Sequence, residues 1–134
     1  MTTYRSVRTL MFVAAVVAAQ AMISAQQPTV QRKVLQQHDL TIPGYQAVLV
    51  AVEIPVGGRE GRHTHPGTAL VLVEQGELTL DHAGKPTVTY KVGESFIIEP
   101  GNVHEGINRG STPVKAVATF IVEKGKPLAT PEAK

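Results

Sequence analysis

His63-Thr64-His65 is the stretch of this chain whose residue types and spacing are best suited to chemistry. In an extended strand successive side chains alternate between faces, so His63 and His65 point one way and Thr64 the other. Two imidazoles on one face can share a metal ion. Gly57-Gly58 precede the pair and Pro66-Gly67 follow it. These backbone-turning signals set the histidines near a loop edge, where solvent and ligands can enter. The stretch 93–108 is expected to bring a further imidazole, His104, back beside them. Neutral imidazole suits Fe, Zn, Ni, Mn or Cu, and three such ligands leave coordination positions open for water or substrate.

The elements that must position these residues carry two short patterns. Gly57, His63, His65 and Gly76 fall at the spacing of the first motif of the cupin superfamily, whose usual Glu is here Ala69. Gly93, Pro100, Gly101, His104 and Asn108 answer to the second motif, with Glu99 where its first Pro is usual. The chain therefore resembles the cupins, small β-barrels of the jelly-roll or double-stranded β-helix type. The motifs span residues 57–108, and strand-like flanks extend the resemblance to roughly 34–123. With Ala69 in place of the acidic ligand, the resemblance implies a metal centre of His63, His65 and His104. Three neutral ligands leave the charge of a divalent ion uncompensated by protein, which favours an anionic or chelating substrate. Glu74 lies an odd number of residues from Ala69 and should face away from the interior. Glu60 and Glu105 are near in sequence, but sequence alone does not orient them.

Composition narrows the alternatives. The 134 residues suffice for one domain with a modest core. Residues 1–25 hold Arg5 and Arg8, no acidic residue, and an apolar run from Leu10 to Ala19 that ends near small-residue cleavage sites at Ala21 or Ala25. This reads as a secretory signal peptide, and the run is about half the roughly 20 residues of a spanning helix. Its removal would leave eleven basic against eleven acidic residues from the 13 and 11 of the whole chain, with no stable membrane anchor. A neutral mature protein with few aromatic residues gives no support for nucleic-acid binding. The absence of cysteine excludes disulfides, thiolate ligands and a cysteine nucleophile. No Gly-x-Ser-x-Gly elbow, phosphate-binding loop or dinucleotide fingerprint occurs, which disfavours nucleophilic hydrolysis and nucleotide chemistry.

Beyond the signal segment, residues 26–33 read as an N-terminal arm, 34–123 as the barrel and 124–134 as a Lys-, Pro- and Ala-rich tail. Lys33–Thr41 is a weak strand candidate carrying His38 as an edge residue. Val48, Val50, Val52 and Ile54 share one face of a strand from Gln46, and Val114, Ala116, Ala118, Phe120 and Val122 share one face of a last long strand. Ala69–Glu74 is apolar on both faces, so its outer row of Leu70 and Leu72 calls for cover by a second layer or a partner subunit. Shorter strands are expected at Glu77–Asp81, Thr87–Val92 and Ser95–Glu99, with His82 in a hairpin loop. Gly57, Gly76, Gly93 and Gly101 read as turn-formers, and Asn108 as a structural residue bonding backbone near the His104 loop. With no sustained helical period, the expected fold is all-β.

The functional expectation is an exported, periplasmic or secreted bacterial cupin, homodimeric, holding Fe, Zn, Ni or Mn and acting on a small-molecule ligand. By resemblance to cupin dioxygenases with three histidines, an oxygen-dependent reaction of a small anionic or enolisable compound leads. The other classes are a non-catalytic ligand-binding cupin and a metal-dependent isomerase or lyase.

Overall fold

The computed structural model describes residues 26–134; the stretch 1–25, read from the sequence as a signal peptide, lies outside the described residues. Every regular element among the described residues is a strand: β1 Gln31–Asp39, β2 Tyr45–Ile54, β3 His63–Thr64, β4 Thr68–Gln75, β5 Leu78–His82, β6 Val88–Tyr90, β7 Ser95–Ile98, β8 His104–Ile107, β9 Val114–Glu123 and β10 Thr130–Pro131. They form two five-stranded sheets, ordered β1-β2-β9-β4-β7 and β10-β3-β8-β5-β6, with antiparallel pairing throughout. This is the all-β barrel that the motifs imply.

The alternation legible in the sequence sets the core. Val48, Val50 and Ile54 on β2 and Val114, Ala116, Ala118, Phe120 and Val122 on β9 are all buried, and they meet across ten register pairs from Tyr45↔Glu123 to Ile54↔Val114. On β4, Ala69 and Val73 turn inward, whereas Leu70 and Leu72 remain 44% and 43% exposed on the outer face. Ile97, the partner of Leu70 on β7, is exposed beside them.

Turns close the sheets where glycine permits it. Gly57, Gly76, Gly93 and Gly101 all take positive φ, as their turn-forming role requires. Gly67 serves differently: a Cβ there would lie 2.0 Å from the Ile121 carbonyl oxygen, so the entry to β4 can pass this close to β9 only without a side chain. Asn108 is 1% exposed and donates through Nδ2 to the carbonyls of Ile54 and Thr112, while its Oδ1 accepts from Gly110 N–H. It closes the loop between β8 and β9 by satisfying backbone groups that burial would otherwise leave unpaired.

Two stretches are more ordered than their composition indicates. Pairing of Gln31 with Glu53 begins β1 inside the stretch read as an arm. The stretch read as a tail returns to the barrel, where Thr130 pairs with Thr64 and Pro131 with His63.

Candidate metal centre

β3 places His63 and β8 places His104 as direct cross-strand partners. His65 follows β3 by one residue and, by strand parity, shares the face of His63. All three are buried, and the candidate ligand nitrogens lie within 4.8 Å of one another. Ring centroids are 4.4 Å apart for His63 and His104, and 4.8 Å for each of the other two pairs. The structure thus brings together every residue that the sequence singled out for a metal.

Each imidazole is held by a backbone carbonyl. Nδ1 of His63 lies 2.7 Å from Gly61 O, that of His65 2.7 Å from Leu128 O, and that of His104 2.9 Å from Asn102 O. A carbonyl can only accept, so Nδ1 carries the proton in all three rings and the Nε2 lone pair is left for a ligand. A carbonyl on the non-ligating nitrogen fixes the tautomer and orientation of metal-binding histidines. The donor set and its tautomers therefore fit a divalent ion of the Fe, Zn, Ni or Mn type. Around it, Gly101 N–H donates to the His65 carbonyl at 2.9 Å, and Phe120 stacks edge-on against the His65 ring at 4.8 Å.

Burial also keeps two of the rings neutral. Loss of solvation pushes both His65 and His104 down to about 4, against a partial opposing effect of their backbone hydrogen bonds. The sign of the resulting pH dependence follows from linkage. Between about 6.5 and 4 the unfolded chain takes up protons that the folded one refuses, so stability falls as pH drops through that window. One such shift corresponds to about 3 kcal/mol, and the proximity of the rings makes the pair worth less than twice that. Urea midpoints of the metal-free protein are expected to fall between pH 6.5 and 4, and a His65→Gln variant should flatten that slope.

The histidines stand in a cavity of about 170 Å³ whose walls are mainly aliphatic and aromatic, including Val50, Val71, Leu78, Phe96 and Phe120. Ala69 lies on this wall, 1% exposed and in register with Phe120. A methyl group therefore occupies the place where the first cupin motif usually carries a carboxylate.

The sequence model of the cupin domain matches residues 50–126, more than half of the chain. The chain belongs to the cupin family. Among curated proteins, this cupin is 36% identical over 87 residues to germin-like protein subfamily 2 member 2 of Arabidopsis thaliana, covering 59% of the chain and 40% of that relative. The chain thus spans less than half the length of the germin-like protein. Among solved structures it resembles a cupin-like protein of Thermotoga maritima at a TM-score of 0.64 and 21% identity, covering 81% of this chain and 79% of that one. It also resembles a recombinant oxalate oxidase in complex with glycolate, at a TM-score of 0.62 and 21% identity, covering 80% of this chain and 57% of the oxidase. Identities at this level establish the fold.

Three further residues stand at the cupin site to which the sequence assigned no part in it. His82, expected in a hairpin loop, is instead the last residue of β5. It is 7% exposed and in register with His104, its ring centroid 6.1 Å away. Pairing of β5 with β8 removes it from solvent, which lowers its pKa, and its Nε2 has no hydrogen-bond partner among the described residues. Leu128 enters through its carbonyl, from a segment that no sequence signal joined to the site. Glu60 lines the cavity, whereas Glu105 points out of it, buried against Arg59, whose hydrogen bond holds its carboxyl below the usual range. Glu74 is exposed, and His38 lies exposed on the edge strand β1.

Proposed function

We propose that this cupin binds a divalent metal ion through His63, His65 and His104 and acts on a small anionic or enolisable compound that chelates it. The observation that carries the reading is the set of three Nδ1–carbonyl hydrogen bonds, which leaves three Nε2 lone pairs beside one cavity. A bound ion would supply Lewis acidity and, if redox-active, a route for reaction with O2. The protein's own contribution is to hold neutral ligands, to exclude bulk water with the aliphatic wall, and to leave the ion's charge for an anionic substrate. The likeness to an oxalate oxidase solved with glycolate supports an oxygen-dependent reaction of a small oxygen-rich acid. Elemental analysis of untagged protein, followed by oxygen uptake with diketones and phenolic acids, tests the reading. Stoichiometric iron or manganese with uptake supports it. Zinc or nickel without uptake favours isomerase or lyase chemistry, and a metal-free protein that still binds such ligands favours a binding role.

The reading extends to assembly and location. Leu70, Leu72 and Ile97 form an exposed aliphatic row on β4 and β7, which supports a homodimer with that face covered. Light scattering is expected to give twice the chain mass for the parent and the monomer mass for Leu72→Asp. The basic, then apolar, character of residues 1–25 supports export to a bacterial periplasm or the medium, which N-terminal sequencing of the mature protein checks.

A further inference from the structure

The cavity wall carries one charged pair besides the histidines: Arg32 and Glu60. Register places Arg32 opposite Val52, so the edge strand β1 turns its side chain toward the cavity. Half-exposed at the sheet edge, Arg32 gives one guanidinium N–H to Glu60 Oε1 at 3.0 Å. The other oxygen of Glu60 accepts from Gly106 N–H at 3.0 Å. Gly106 pairs with Leu80 on the inner face of β8, two residues from His104, and a Cβ there would lie 2.7 Å from Glu60 Oε2. Glu60 thus fills the space of a missing side chain on the same strand face that presents His104.

An internal carboxylate fixed at both oxygens is already satisfied and has little left to offer a ligand. The guanidinium is different. It has five N–H donors in a rigid fork, of which the Glu60 carboxylate takes one here. The pair is neutral as a unit, whereas an ion held by three neutral histidines is not, so the whole cavity would be net positive. Apart from these two poles the wall is apolar, with Val34, Val50, Val52, Val71 and Phe96 among its members.

We propose that Arg32 is a specificity-determining residue of this cavity: oriented by Glu60, it receives a carboxylate set across an apolar body from the chelating oxygens that face the histidines. This rests on the metal-binding reading above and narrows the substrate class to chelating acids with an apolar framework. Glu60 is a positioning residue for Arg32, and Gly106 makes its position possible.

Protocatechuate and catechol share a ring and a chelating diol and differ only in a carboxylate, so they separate the two poles. Zinc-loaded full chain, its zinc content measured in each variant, is titrated with both by calorimetry. The parent should prefer protocatechuate by about tenfold or more, as a charge-assisted bidentate contact warrants. Arg32→Gln should reduce that preference to within about twofold and leave catechol affinity unchanged, with Arg32→Lys intermediate. Glu60→Ala should lower the preference without loss of zinc. A loaded parent with no preference, or an Arg32→Gln protein that keeps it, overturns the assignment of Arg32 and leaves the metal reading standing. A preference unchanged or raised in Glu60→Ala overturns the positioning role. Should the parent take up no zinc, the metal reading fails, and the same pair titrated into metal-free protein decides Arg32 by the same criterion.

Discussion

Replacing His104 by alanine is expected to abolish metal binding at the candidate centre while the barrel stays folded. His104 supplies one of three nitrogens, and its neighbours do not stand in for it: Ala69 has no donor, Glu60 is held by Gly106 N–H and Arg32, and the His82 ring, 6.1 Å from that of His104, lies outside the cluster of three. Structural zinc sites gather about 10–16 kcal/mol from four ligands, or roughly 2.5–4 kcal/mol each, so losing one weakens affinity on the order of a hundredfold to just under a thousandfold. Elemental analysis of the purified variant should then show below about a tenth of the parent's metal. The fold has no comparable stake in this side chain. Its ring is a buried neutral imidazole whose one hydrogen bond goes to a carbonyl two residues away, and the core of β2, β4 and β9 does not depend on it. His82→Ala is the matched control, since it removes the buried imidazole next door and leaves the three nitrogens in place. Equal metal content in His104→Ala and the parent would remove the basis for any metal chemistry here.

Ending the chain after Gly125 is expected to weaken metal binding by about 10- to 100-fold, the usual effect of losing a partner of a metal-bound histidine. The removed segment contains Leu128, whose carbonyl accepts from His65 Nδ1 at 2.7 Å, and β10, which pairs with β3 at His63 and Thr64. It also contains Glu132, which returns two contacts to Arg62: its N–H to the Arg62 carbonyl at 2.9 Å and its carboxylate to Nε at 2.8 Å. Without these, the His65 ring has no fixed tautomer and β3 keeps only its pairing with β8. Most of the buried core lies before residue 124, so circular dichroism should still report a β-barrel. Competition against a chromophoric chelator measures the affinity. Unchanged affinity would mean that the carbonyl of Leu128 merely lies beside the ring without orienting it.

The two variants differ in what made them foreseeable. His104 was legible because a histidine at fixed spacing from Gly93, Gly101 and Asn108 stands out in a line of text. Leu128 was not, because its part in the site is a backbone carbonyl, a group that every residue possesses. Nothing in the identity of Leu128 marks it. Its contact with His65 spans 63 residues of sequence and exists only once β10 has paired with β3. Glu60 was visible as an acid, yet its inward direction depends on an absent Cβ at Gly106, on a strand paired to it from 46 residues away.

By itself the sequence determined what local geometry can determine. Strand parity put His63 and His65 on one side and Thr64 on the other, sorted the buried from the exposed residues of β2, β4 and β9, and placed glycine where φ turns positive. Tertiary structure decided which local features meet. It buried His82 against His104 by pairing β5 with β8, turned Glu60 into the cavity and Glu105 out of it, and drew the last residues of the chain onto the three-histidine cluster. The physical reason is that side-chain alternation is set within a few bonds, whereas register between strands is set by closing long loops around a shared core. No residue's type reports how that closure comes out.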